Sequence, residues 1–169
     1  MKISTLVVCA FLLVITACNQ GPYQQDLGQI ASITFPRAPK TVEHDGDTVF
    51  GLDDNGITYV ATASLTYKDF NGLAQKGPPD SLFNEFITGT LRDSDCHLLY
   101  KTPVIANGLN GIEFAYETVF NLQKSYRYHQ VFYIKNTIIA YGYWSKDSLF
   151  ADDKGMRAFF STFKLKKKT

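Results

Sequence analysis

The sequence predicts an α+β fold, an antiparallel sheet of about six to seven strands covered by two main helices. Three observations carry that expectation. Apolar residues alternate with period two over most of the chain, and Asp-Gly and Asn-Gly pairs, which two-residue hairpins favour, punctuate the alternation. Twice the spacing switches to threes and fours, once from Leu82 and once from Met156. The order of strands, helix, long strands and helix then lays the helices against an antiparallel sheet.

The first segment is not part of that fold. Lys2 is followed by an apolar run over residues 6–15 and by Thr16-Ala17-Cys18, a charged start, a short hydrophobic core and small residues. The run is too short to cross a bilayer as a helix and has the form of a secretory signal. Ile15-Thr16-Ala17-Cys18 resembles the lipobox of bacterial lipoproteins. That resemblance implies cleavage of residues 1–17 and three acyl chains on Cys18, the new first residue. Each buried methylene contributes about 0.8 kcal/mol, so two or more chains hold a protein on a membrane for long times. Residues 18–29 are then expected to be the lipidated terminus and a flexible tether. Asn19 stands where an Asp favours inner-membrane retention in enteric bacteria, so the resemblance implies the outer membrane. A plain signal with a coincidental cysteine is the competing reading.

Residues 30–165 form the expected single domain, with 166–169 as a basic tail. Residues 30–35 read as a strand ended by Pro36 and Pro39. Residues 40–43, 48–52 and 57–67 then form a meander turned by Asp45-Gly46 and Asn55-Gly56. After Gly77-Pro78-Pro79 a helix opens at Asp80, with Leu82, Phe83, Phe86, Ile87, Thr90 and Leu91 on its apolar stripe. Gly89 weakens it without ending it.

Beyond Cys96, Asn107-Gly108 and Asn110-Gly111 are turn signals. Ile112, Phe114, Tyr116, Thr118, Phe120 and Leu122 share one face of a strand, and Glu113, Ala115, Glu117, Val119 and Asn121 share the other. A three-residue turn at Gln123-Lys124-Ser125 would set Tyr128 opposite Phe120, Phe132 opposite Tyr116, Ile134 opposite Phe114 and Lys135 opposite Glu113. A two-residue turn at Lys135-Asn136 would bring Ile139, Tyr141 and Tyr143 onto the core face, with Ala140, Gly142 and Trp144 behind them. The last helix follows Asp147-Ser148, with Met156, Phe159, Phe160 and Phe163 at helical spacing.

Ile33-Thr34-Phe35-Pro36, Gly111-Ile112-Glu113-Phe114, the Tyr-rich hairpin and the terminal Phe159-Phe160-Ser161-Thr162-Phe163-Lys164-Leu165 together resemble the PsbP-like family. Its members include photosystem extrinsic subunits, a Ran-binding nuclear factor and many bacterial lipoproteins. The resemblance spans nearly all of residues 30–165 and implies an α/β/α sandwich that acts as a non-catalytic adaptor. It carries no catalytic motif onto this chain.

The charge balance excludes one class of partner. A formal net charge of +1 offers no broad basic field, so nucleic acid is not expected. The Lys164 to Lys168 run reads as a solvated terminus, with anionic headgroups as the alternative. Of three cysteines, Cys9 leaves with the signal and Cys18 is acylated, so Cys96 has no disulfide partner. His44, His97 and His129 show no metal-ligand spacing, and no metal or cofactor is expected. Asp53-Asp54-Asn55-Gly56 fails the calcium-loop pattern, because Gly51 falls at the first ligand and Thr62 at the last. Asp93, Asp95 and His97 alternate, but a helix end running into a strand explains them.

The P-loop, dinucleotide, nucleophile-elbow and zinc-protease motifs are all absent from the sequence. The remaining candidate is the second face of the long hairpins, where the expected register groups Glu117, Arg127, His129 and Trp144 with Val119 and Val131. Arg127 opposite Trp144 allows a cation–π contact. The leading expectation is a non-enzymatic, lipid-anchored envelope protein that binds another envelope protein or a small ligand through this face. A hydrolase using Glu117, Arg127 and His129 as acid–base groups is the alternative. A surface-exposed lipoprotein that binds host or polysaccharide molecules is a third. A helix covering the second face would remove the site.

Overall fold

A computed structural model describes residues 21–44, 46–64, 79–92, 95–120, 122–135, 137–146 and 153–166. The signal segment, Cys18 and Asn19 lie outside the described residues, as do residues 65–67 and Lys167-Lys168.

Seven strands build the main antiparallel sheet: β3 (Lys40–His44), β4 (Asp47–Asp54), β5 (Ile57–Ser64), β6 (Cys96–Ala106), β7 (Leu109–Phe120), β8 (Gln123–Ile134) and β9 (Thr137–Ser145). Their spatial order is β3-β4-β5-β9-β8-β7-β6. β1 (Tyr23–Leu27), β2 (Ala31–Phe35) and β10 (Lys164–Leu165) form a separate three-stranded sheet. The helices are α1 (Pro79–Leu91) and α2 (Asp153–Phe160).

Turn chemistry sets the two ends of the sheet. Asn55-Gly56 and Asn107-Gly108 each place both residues at positive φ, 50° and 81° in the first pair and 53° and 76° in the second. That backbone matches the twist of paired strands, and Asn and Gly adopt it at low cost. With all neighbours antiparallel, Asn55-Gly56 and the β7–β8 turn lie at one end, called lower here, and Asn107-Gly108 and the β8–β9 turn at the upper end.

Both faces of the sheet carry core. On one, α1 lays Leu82, Phe83 and Ile87 over Phe114, Tyr116, Val131, Ile138 and Ala140. On the other, α2 and the small sheet bring Ile33, Phe35, Met156, Phe159, Phe160 and Phe163 onto Ala115, Tyr128, Phe132, Ile139, Tyr141 and Tyr143. Tyr141 sits at the middle of this second layer, with ring centroids of Phe159, Phe160 and Phe163 6.4, 5.4 and 5.1 Å away. Burying an aromatic side chain this fully contributes about 1.5–3 kcal/mol, so the short α2 is held by its rings more than by helix propensity.

Several expectations change. Residues 23–27, assigned to the tether, pair with β2 from Tyr23↔Phe35 to Leu27↔Ala31. Leu27 is fully buried, which supplies the apolar anchor that makes this polar segment a strand. Lys166 is not a free tail residue: its backbone N–H donates to the Ile30 carbonyl and its ammonium lies 2.8 Å from Asp26. β6 adds a fourth long strand, its alternation broken by a bulge between Leu98 and Tyr100. Asn110-Gly111 lies inside β7, where a Cβ on Gly111 would stand 2.5 Å from the Val131 carbonyl oxygen, so this glycine serves close packing and not a turn. Helix cover is also shared: the small sheet, which was not expected, joins α2 on its face.

The largest correction concerns β7 and β8. They close through two residues, Asn121-Leu122, and pair Phe120↔Gln123, Tyr116↔Arg127, Phe114↔His129 and Gly111↔Phe132. The three-residue turn would have set Tyr128 against Phe120. The observed register is offset from that by an odd number of residues, so β8 is turned over relative to β7. The β8–β9 turn is as expected, with Phe132↔Ile139, Tyr128↔Tyr143 and Arg127↔Trp144.

Candidate functional site

The reversed register splits the predicted site. Glu117 pairs opposite Tyr126 on the α2 face, and its carboxylate accepts from the Lys124 ammonium at 3.1 Å. Arg127, His129, Val131 and Trp144 lie on the α1 face, opposite Tyr116, Phe114, Ile112 and, for Trp144, Thr58 of β5. Val119 stays with Glu117. A hydrolase that draws on Glu117, Arg127 and His129 together therefore loses the shared face on which it rested.

His129 is buried on the face that α1 covers, so the part of the expected binding face around His129 and Val131 is closed and only its Arg127–Trp144 end stays half-buried. Its ring lies against both Phe114 at 5.1 Å and Tyr116 at 5.6 Å, nearly parallel to each, with interplanar angles of 16° and 13°. Gly142 directly opposite makes room, since a Cβ there would stand 2.8 Å from the imidazole Cε1. The Trp144 indole N–H donates to His129 Nε2 at 3.3 Å, which assigns the proton to Nδ1. Burial, and secondarily the positive charge of Arg127, pushes the imidazole down to about 3. A ring that stays neutral at every physiological pH is a poor general base and a good structural acceptor.

Arg127 and Trp144 stand nearer the lower end and are half-buried. The guanidinium carbon lies 4.3 Å from the Trp144 ring centroid and 5.9 Å from that of Tyr116, so the expected cation–π contact is present. Such contacts contribute about 0.5–1 kcal/mol when exposed and about 2 when desolvated. Burial raises the Tyr116 phenol, and the hydrogen bond and charge of Arg127 partly oppose it. Arg127 Nε is buried and has no hydrogen-bond partner among the described residues.

A second polar cluster, not anticipated from the sequence, lies on the α2 face. Glu113 is buried and accepts from Tyr100 Oη at 2.9 Å, Gln130 Nε2 at 2.7 Å and Arg157 Nη1 at 2.6 Å. Tyr141 in turn donates to Gln130 Oε1 at 2.7 Å. Burial pushes the Glu113 carboxyl up, but the hydrogen bonds from Arg157, Gln130 and Tyr100 and the Arg157 charge outweigh it and hold it below the usual range. Burial first, and then the Glu113 charge, raises both the Tyr100 and the Tyr141 phenols. The carboxylate accepts three hydrogen bonds and Gln130 both donates and accepts, which makes this a fixing point between α2 and the sheet rather than a reactive centre. A Glu in mid-strand and an Arg inside the aromatic stripe of α2 were its sequence signals.

Metal chemistry finds no foothold among the described residues, where no group of three His, Cys, Asp or Glu side chains converges. His97 is exposed, and Cys96 is half-buried at the start of β6 opposite Thr118. Asp54 pairs with Arg37 at 2.8 Å and Asp53 accepts from Thr58, so the Asp53-Asp54-Asn55-Gly56 segment is the tip of a hairpin, as expected. No described helix is long and apolar enough to cross a membrane.

No family model matches the sequence, and no curated relative does. Solved structures do match the fold. Cyanobacterial PsbP (CyanoP) from Synechocystis sp. PCC 6803 superposes with a TM-score of 0.60 at 14% identity, over 86% of this chain and 93% of that one. The fold is PsbP-like. PA94 from Pseudomonas aeruginosa, a protein of unknown function, gives a TM-score of 0.54 at 10% identity over 88% of this chain and 99% of its own. A protein from Bacteroides thetaiotaomicron VPI-5482 gives 0.52 at 12% identity, over 89% of this chain and 50% of that chain. At such identities the PsbP-like likeness concerns backbone architecture, and the side chains of the Arg127–Trp144 end must be read from this chain alone.

Proposed function

We propose that this chain is a non-enzymatic accessory protein of the bacterial envelope, moored to the outer membrane by acyl chains on Cys18, whose PsbP-like domain binds a protein partner or small ligand at the Arg127–Trp144 end of the sheet. The observation that carries the binding reading is the guanidinium stacked 4.3 Å over Trp144 with a buried Nε that has no partner among the described residues. A buried donor without an acceptor costs about 1–3 kcal/mol, and a ligand acceptor that reaches it recovers that energy. The planar fork and the adjacent indole suit a group that joins an acceptor edge, such as a carboxylate, to an apolar or aromatic body. The acid–base grouping, by contrast, has no common face, and its histidine is held neutral.

Two measurements test this. Intact mass of the mature protein should show the added acyl chains, and Cys18→Ser should abolish them and release the protein from the membrane fraction. A photoreactive residue in place of Trp144, activated in the native membrane, should cross-link one discrete species, and Arg127→Gln should remove that product. The absence of any discrete product would overturn the binding reading.

A further inference from the structure

The hairpin turns differ in one respect. Gly46, Gly56 and Gly108 occupy the second turn position of the β3–β4, β4–β5 and β6–β7 hairpins, at φ of 82°, 81° and 76°. The β7–β8 turn puts Leu122 there at φ 62°. A branched apolar residue is disfavoured in that backbone region, and Leu122 is also 98% exposed. Two unfavourable choices coincide at one residue. Sheet pairing leaves this tip projecting, because β6 pairs with β7 only as far as Thr118 and β9 pairs with β8 only from Tyr126. Val119 adds further exposed apolar surface, and Lys124 and Glu117 neutralise each other beside it.

The chain enters the domain at the same end. Asn107 Nδ2 donates to the Phe163 carbonyl, and β10 then pairs Leu165↔Ala31, so the Ala31 end of β2 lies at the upper end. The Phe35 end lies at the lower one, since Arg37 binds the Asp53 carbonyl and the Asp54 carboxylate beside the Asn55-Gly56 turn. Tyr23 pairs with Phe35 and is half exposed, so the polypeptide leaves the domain at the lower end, and Cys18 precedes it by only five positions. A chain of that length spans at most about 18 Å, which keeps the lower end close to whatever surface holds Cys18.

We infer that the β7–β8 tip is a membrane-docking finger: Leu122, with Val119, enters the headgroup and acyl boundary of the bilayer that holds the acyl chains, and so orients the domain with its lower end toward the lipid. This inference rests on the acyl anchor of the proposed function. Apolar contact in the interface plane recovers the free energy of an exposed leucine, and Tyr23 suits the headgroup level.

The test uses the full mature protein with Cys96→Ser, carrying one environment-sensitive fluorophore at Leu122→Cys or at Ile105→Cys. Ile105 is 72% exposed near the upper end and serves as the reference for the dye itself. Both are reconstituted in vesicles of phosphatidylethanolamine and phosphatidylglycerol that contain nitroxide-labelled lipid, and the intact mass of each sample is recorded. The expected result is a blue-shifted, lipid-quenched signal at position 122 and a water-like, unquenched signal at 105. Acylated protein with equal quenching at both positions overturns the finger and leaves the anchor standing. Unacylated protein that is still quenched at 122 on added vesicles retains the finger and removes the anchor. Shielding of position 122 in native membranes but not in pure lipid overturns the lipid contact in favour of a protein partner.

Discussion

Acidification from pH 7 to pH 5 is expected to destabilise the domain by about 2 kcal/mol through His129 alone. In the folded chain burial holds the imidazole at about 3, against an ordinary value of 6.5 in the unfolded chain. Between those values the unfolded state binds a proton that the folded state does not. Each unit of acidification in that window therefore favours unfolding by about 1.4 kcal/mol, and the stability present above pH 6.5 is lost progressively toward pH 3. Little has been lost at pH 7, and at pH 5 the loss reaches about 2 kcal/mol, or about 4–8 °C in melting temperature for a domain of this size. The Glu113 carboxyl, lowered in the folded state, adds its own loss only below its ordinary value of 4.5, so the interval from 7 to 5 is free of it. Urea denaturation followed by circular dichroism at both pH values, on the wild type and on His129→Gln, measures the effect. The compared quantity is the change with pH, so the packing lost on substitution cancels. Equal midpoints at pH 7 and pH 5 in the wild type, or an undiminished loss in the variant, would refute a neutral, buried imidazole.

Other substitutions probe the packing and the turn. Gly111→Ala should destabilise by about 1–3 kcal/mol or more, because its Cβ would meet the Val131 carbonyl at 2.5 Å and the Phe132 ring at 2.6 Å; a neutral result in thermal melting would contradict this close approach. Arg157→Met removes one of three donors to the buried Glu113 carboxylate and should cost about 1–3 kcal/mol at pH 7, with a shallower loss of stability below pH 5, because a carboxyl that moves upward toward its ordinary value differs less between the folded and unfolded chains; chemical denaturation at pH 7 and pH 4 reads both. Leu122→Gly relieves the positive-φ backbone, partly offset by greater freedom of the unfolded chain, and should leave stability unchanged or raise it by up to about 1 kcal/mol. A fall in the denaturation midpoint of that variant would show that Leu122 packs within the domain.

Much of the architecture was legible from local pattern. The helix from Asp80, the aromatic stripe of α2, the Asp-Gly and Asn-Gly hairpins and the Lys135-Asn136 turn depend on residues a few positions apart, and each signal is confined to its own element. Arg127 opposite Trp144 followed from that last turn because the turn length fixes the register. β1 was not legible: Tyr-Gln-Gln-Asp-Leu carries little apolar pattern, and it becomes a strand only because β2 offers an edge and Leu27 finds a place in the core.

Local pattern settles which residues alternate along β7 and β8, but not which faces meet. Phe114 and Tyr116 on one side of β7, and Tyr128 and Phe132 on one side of β8, allow plausible aromatic pairs in either register, and the Asn121-Leu122 turn lacks the glycine that would have marked it. The register depends on packing from outside the hairpin because both faces of this sheet are buried, one under α1 and the other under α2 and the small sheet. Alternation specifies register when only one face must avoid water; where both do, turn length and the fit of distant helices choose between faces, and with them the place of Glu117 relative to Arg127 and His129.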